Sequence, residues 1–143
     1  MWLLPAIAVP ARLSEAKLAP LAFKKALFVQ IKRDPVTNVD SILQARKRQL
    51  GSESEWYSFK IPEYHLLKNL DPITQSAGQL HYINSAVTKG IATLDNSRKM
   101  TVQYEDFCQN PERFFKELMV KLNTPKSQIT YSGPESFSPS RKI

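Results

Sequence analysis

Residues 29–41 read Val-Gln-Ile-Lys-Arg-Asp-Pro-Val-Thr-Asn-Val-Asp-Ser. The apolar run Ala26 to Ile31, "ALFVQI", has charge on both sides, the pattern of a buried strand. It stops in Arg33-Asp34-Pro35. Proline is tolerated at the first position of a helix, where its missing N–H has no partner to lose, and an Asx before it can cap the free N–H groups. The stretch therefore predicts a strand passing directly into a helix, with Arg33 at the junction. Apolar groups at Val36, Val39 and Leu43 carry that helix to about Gln49, and Arg46, Lys47 and Arg48 close it where cations suit the dipole.

The same punctuation recurs twice. Asp71-Pro72 opens a helix expected to run to Leu94, and Asn110-Pro111 opens one to Leu122. In the latter, Phe114, Leu118 and Leu122 form one stripe and Phe115 and Met119 the next. Between these helices, "MTVQY" from Met100 to Tyr104 reads as a second strand. The order strand, helix, helix, strand, helix predicts an α/β layer with a parallel sheet. Two strands are few for such a sheet, and "AIAVPARL" near the N-terminus is a candidate third. The Ser- and Pro-rich segment from Thr124 reads as loop or disordered tail.

The bulk numbers narrow the function classes. At 143 residues the chain fits one domain, with 42% hydrophobic and 23% charged residues, ordinary for a globular protein. Twenty Lys and Arg against thirteen Asp and Glu leave a formal charge of +7, which favours an anionic partner. A single cysteine, Cys108, excludes an internal disulfide framework and a Cys-rich metal site, and suits a reducing, cytoplasmic setting. The N-terminal apolar stretch has no basic leader and is broken by Pro5 and Pro10, so neither a signal peptide nor a membrane span is expected.

Arg33 at the carboxyl end of a parallel strand stands where open α/β sheets bind ligands. Its planar fork of donors matches a phosphate, and the following helix directs its N-terminus to the same space. Ser41 could add a hydroxyl donor. An arginine closing a strand also commonly pairs with a carboxylate or meets water.

The residues "FVQIKRDPVTNVDSIL" resemble the 3′-phosphate-binding segment of sulfotransferases that use 3′-phosphoadenosine 5′-phosphosulfate, where a strand ends in Arg-(Asp/Asn)-Pro and a Ser follows eight positions after the Arg. "MTVQYEDFCQNPERFFKELMVKLN" is similar to that family's Tyr-Glu-Asp strand, short loop and amphipathic helix, and "DPITQSAGQLHYINSAVTKGIATL" looks like its long helix. The resemblance covers roughly residues 20–123. It implies a partial parallel-sheet, P-loop-like sulfotransferase fold with flanking helices, occupying residues 1–123 and followed by the tail 124–143. It implies sulfuryl transfer from the nucleotide donor to a hydroxyl or amine acceptor, without a metal.

Carried over residue by residue, the resemblance assigns Arg33 and Ser41 to the donor's 3′-phosphate. Arg141 and Lys142 match, more loosely, the late basic loop of the family. The Gly-rich loop that cradles the 5′-phosphosulfate has no counterpart, since residues 1–25 contain no glycine. No catalytic base is assignable: His65 and His81 do not match the family's position, and Glu105 and Asp106 of the Tyr-Glu-Asp motif read as structural. A competing reading is a basic nucleic-acid or polyanion-binding module built on "QARKRQL" with Trp56, Tyr57 and Phe59 as stacking groups. It is the less favoured, because the cations are scattered. An unpaired sheet edge would suit a second copy of the chain as partner.

Overall fold

The computed structural model describes residues 25–138. The chain divides into two compact units. Among the described residues, the first unit comprises 25–34 and 94–138, and the second comprises 35–93.

The first unit holds the sheet. Strands β1 (Phe28–Lys32) and β2 (Lys99–Gln103) pair in parallel, from Phe28 opposite Lys99 to Lys32 opposite Gln103. Both carboxyl ends therefore lie side by side. The α/β class and the parallel pairing agree with the sequence reading. The expectation that β1 is buried along its length requires correction. Val29 and Ile31 are exposed, Ile31 to 64%, whereas their register partners Met100 and Val102 are buried. The sheet has two strands among the described residues, so within them β1 has a strand neighbour on one edge. The candidate third strand near the N-terminus lies outside the described residues.

A short helix, here α4 (Tyr104–Gln109), follows β2 directly, and α5 (Pro111–Lys121) follows it. The Asn110 side chain accepts the Arg113 N–H, so the Asx-Pro signal does mark a cap. Phe114 meets Phe107 edge to face at 5.3 Å, joining α5 to α4. Beyond α5 the chain makes one 3₁₀ turn, Lys126–Gln128, and otherwise no regular structure through Ser138. It is nevertheless pinned at two points. Tyr131 packs on Phe115, and Phe137 stacks on Phe107 while its N–H donates to the Cys108 carbonyl at 2.7 Å.

The second unit is helical. It contains α1 (Pro35–Leu50), the single turn α2 (Tyr64–Leu67) and α3 (Pro72–Ala92), with α1 and α2 both packed on α3. Helix α1 ends at Gly51, whose φ of 77° is the left-handed value that closes helices, with its N–H returned to the Lys47 carbonyl. Asp71 caps α3, its carboxylate accepting from the Ile73 and Thr74 N–H groups. Gly78 permits the approach of α2: a Cβ there would lie 2.6 Å from the Leu67 side chain.

One face of α1 departs from the pattern read from sequence. Val36 is 72% exposed, whereas Arg46, two turns beyond Val39 on the same stripe, is fully buried. Its Nη1 donates to Gln75 Oε1 at 2.8 Å and to the Glu53 carbonyl at 3.2 Å, and its Nη2 to Gln79 Oε1 at 3.4 Å. Its guanidinium lies over the Trp56 ring. Lys47 and Arg48 remain exposed in the last turn, as expected.

Candidate functional site

Arg33 is the first residue after β1, at the carboxyl end of the parallel pair. Its side chain is only partly accessible, with Nε and Nη2 buried, and its Cζ lies 5.0 Å from the centre of the Tyr104 ring. Tyr104 is the first residue after β2. The backbone beyond Arg33 is held from the same place. The Asp34 N–H donates to Glu105 Oε1 at 3.0 Å, and Gln103 Nε2 donates to Glu105 Oε2 at 2.6 Å.

These donors have an electrostatic consequence. The Asp34 backbone N–H, opposed by desolvation and aided by Gln103, holds the Glu105 carboxyl below the usual carboxylate range. Glu105 is thus ionised near neutrality and committed to two N–H groups. It accepts from the peptide that follows Arg33 and from the Gln103 side chain.

Ser41 lies in the second unit, in the second turn of α1, and is half-buried. Its Oγ donates to the Thr37 carbonyl one turn back, at 2.9 Å. Arg141 and Lys142 lie outside the described residues.

The histidines stay at the surface. His65 Nδ1 donates to the Pro62 carbonyl at 2.9 Å, and exposed His81 meets Tyr82 edge to face. Cys108 is buried and free. Among the described residues there is no group of three or more His, Cys, Asp or Glu side chains placed to hold a metal ion, and no helix is long and apolar enough to cross a membrane.

Two of the residues behind the polyanion-binding alternative, Arg46 and Trp56, turn inward, whereas Lys47, Arg48 and Tyr57 stay exposed. Arg46 is consumed by the Gln75, Gln79 and Glu53 contacts, and Trp56 stacks against it, meets Tyr64 edge to face at 4.8 Å and donates its indole N–H to the Phe59 carbonyl. Neither residue is displayed for a phosphate backbone or a base.

Two participants at the Arg33 end escaped the sequence reading: the Tyr104 ring and the Glu105 carboxylate as partners of the Arg33-Asp34 segment. The available signal was positional. Parallel strands that end in register bring their next residues together, so "RD" and "YE" are neighbours once the strand ends are aligned.

The sequence model of the sulfotransferase family matches residues 8–128 of the chain. No curated protein and no solved structure matches it.

Proposed function

The chain belongs to the sulfotransferase family, whose match covers most of its length, and from that premise we propose that it binds 3′-phosphoadenosine 5′-phosphosulfate, with Arg33 and Ser41 on the 3′-phosphate. Arg141 and Lys142 add positive charge to that end of the nucleotide. The reaction served is transfer of the sulfuryl group to an acceptor hydroxyl or amine. The acceptor heteroatom bonds to sulfur as the bond from sulfur to the bridging phosphate oxygen breaks, the acceptor proton passes to a base, and adenosine 3′,5′-bisphosphate leaves. Such a transfer depends on positioning and on stabilising charge at the bridging and peripheral oxygens.

The observation that carries this reading is Arg33 at the carboxyl end of β1, its guanidinium against Tyr104 and its following peptide fixed by Glu105. A planar, permanently charged fork held in this way suits a phosphate better than a mobile lysine would. The net charge of +7 attracts the anionic donor.

The four glycines, Gly51, Gly78, Gly90 and Gly133, are dispersed, so the sequence holds no Gly-rich cradle for the 5′-phosphosulfate. Loss of such a cradle removes several kcal/mol of barrier lowering, on the order of a thousandfold in rate. Incubation with a donor labelled in its sulfuryl group and a panel of hydroxyl and amine acceptors tests both halves of the proposal. The expected result is retention of the donor with slow transfer. Failure to retain the donor contradicts the binding assignment, and rapid turnover contradicts the account of the missing cradle.

A further inference from the structure

We propose that Glu105 is a positioning residue for Arg33, setting the direction of its guanidinium by fixing the peptide group that follows it; this role rests on the assignment of Arg33 to the donor's 3′-phosphate. The peptide joining Arg33 to Asp34 is planar, so anchoring the Asp34 N–H fixes the orientation of the Arg33 carbonyl as well. That orientation is the ψ angle of Arg33, and it sets how the strand leaves the sheet. Asp34 precedes Pro35, which confines its own backbone to extended conformations. The hydrogen bond to Glu105 Oε1 at 3.0 Å therefore acts on a segment with little remaining freedom.

Three further observations converge on the same role. The carboxylate is itself oriented, because Gln103 Nε2 holds its second oxygen at 2.6 Å. Gln103 is the last residue of β2 and pairs in register with Lys32, the last of β1, so the anchor and the anchored residue leave adjacent strand ends. Tyr104, between Gln103 and Glu105, places its ring under the Arg33 guanidinium, 5.0 Å from Cζ. Consecutive residues of one strand end thus hold the backbone and the side chain of Arg33 together. A carboxylate whose two oxygens are occupied by N–H donors is also a weaker repellent of a nearby phosphate than an uncommitted one.

The test compares the parent chain with Glu105→Ala, Glu105→Gln and Arg33→Ala. Calorimetry measures affinity for adenosine 3′,5′-bisphosphate and for adenosine 5′-monophosphate, and NMR follows the Asp34 amide. The alanine variant is expected to lose about tenfold of the preference for the bisphosphate, the scale of one well-placed charge-assisted contact, while its affinity for the monophosphate is unchanged. The glutamine variant keeps an acceptor for the Asp34 N–H, and Gln103 can turn its amide to match, so most of the preference should return. General destabilisation would lower both affinities together and would not be repaired in this way.

A parent that discriminates, with an alanine variant that discriminates equally, overturns the role of Glu105 alone. A folded parent that does not discriminate overturns the assignment of Arg33 and this role with it. Should the alanine variant not fold, the parent's Asp34 amide decides: a slowly exchanging proton shifted downfield supports the anchor, and a rapidly exchanging one overturns it.

Discussion

Replacing Arg46 with alanine should cost the helical unit more stability than any exposed substitution on α1. The guanidinium is fully buried and makes two good hydrogen bonds, to Gln75 Oε1 at 2.8 Å and to the Glu53 carbonyl at 3.2 Å, with a longer one to Gln79 Oε1 at 3.4 Å. Hydrogen bonds to a charged group contribute about 1.5–3 kcal/mol each, and acceptors left buried without a donor carry a further penalty. Gln75 and Gln79 are themselves buried, so water does not simply take over. Against this stands the cost of burying the charge, which lowers the pKa of Arg46 through desolvation. The net expectation for Arg46→Ala is a loss of about 3–5 kcal/mol. Arg46→Met retains the apolar stem against Trp56 and removes the buried charge, so it should lose only about 1–3 kcal/mol. Exposed Arg48→Ala should stay within about 0.5 kcal/mol of the parent. Urea unfolding followed by helical circular dichroism reads all three. An alanine variant within about 1 kcal/mol of the parent, or a methionine variant less stable than the alanine one, would refute the reasoning.

Gly51→Ala places a Cβ in open space at a φ of 77°, so its cost of about 1 kcal/mol in urea unfolding is purely conformational. Phe137→Ala removes the stack on Phe107 and should cost about 1 kcal/mol while making the segment after α5 more susceptible to limited proteolysis. Acid should weaken the fold through Asp71, whose carboxyl is held below its ordinary range by the Thr74 hydroxyl and by the Thr74 and Ile73 N–H groups. Because its folded pKa is depressed, the unfolded chain binds the proton first, and the stability it contributes above the unfolded pKa is lost as pH falls through the folded one. Urea midpoints measured down the acid range should fall less steeply for Asp71→Asn than for the parent.

The Asx-Pro pairs gave the helix starts their legibility. A capping side chain and a proline at the first position act locally, and Pro35, Pro72 and Pro111 do begin helices. The end of β1 was legible for the same reason, since proline after Arg33-Asp34 leaves the strand nowhere to continue. Arg46 was not. It reads as one of three cations closing a helix, yet it follows Val39 and Leu43 on the inward stripe, and only the carbonyl groups of Gln75, Gln79 and Glu53 make that burial tolerable. Those partners lie up to 33 residues away in sequence.

Helix α4 was also missed, its six residues following β2 without a break where a loop was expected. The site was half visible. The Arg-Asp-Pro stretch announced Arg33, while the grip of Tyr104 and Glu105 upon it depends on strand register, a non-local property that no spacing within either motif encodes.

The most direct test of the central claim is titration calorimetry of the chain with adenosine 3′,5′-bisphosphate, using adenosine 5′-monophosphate and the Arg33→Ala variant as controls. The account predicts that the bisphosphate binds at least about tenfold more tightly than the monophosphate and that this preference disappears in the variant. Equal affinity for the two nucleotides in the folded parent, or a preference that survives the loss of Arg33, would contradict it.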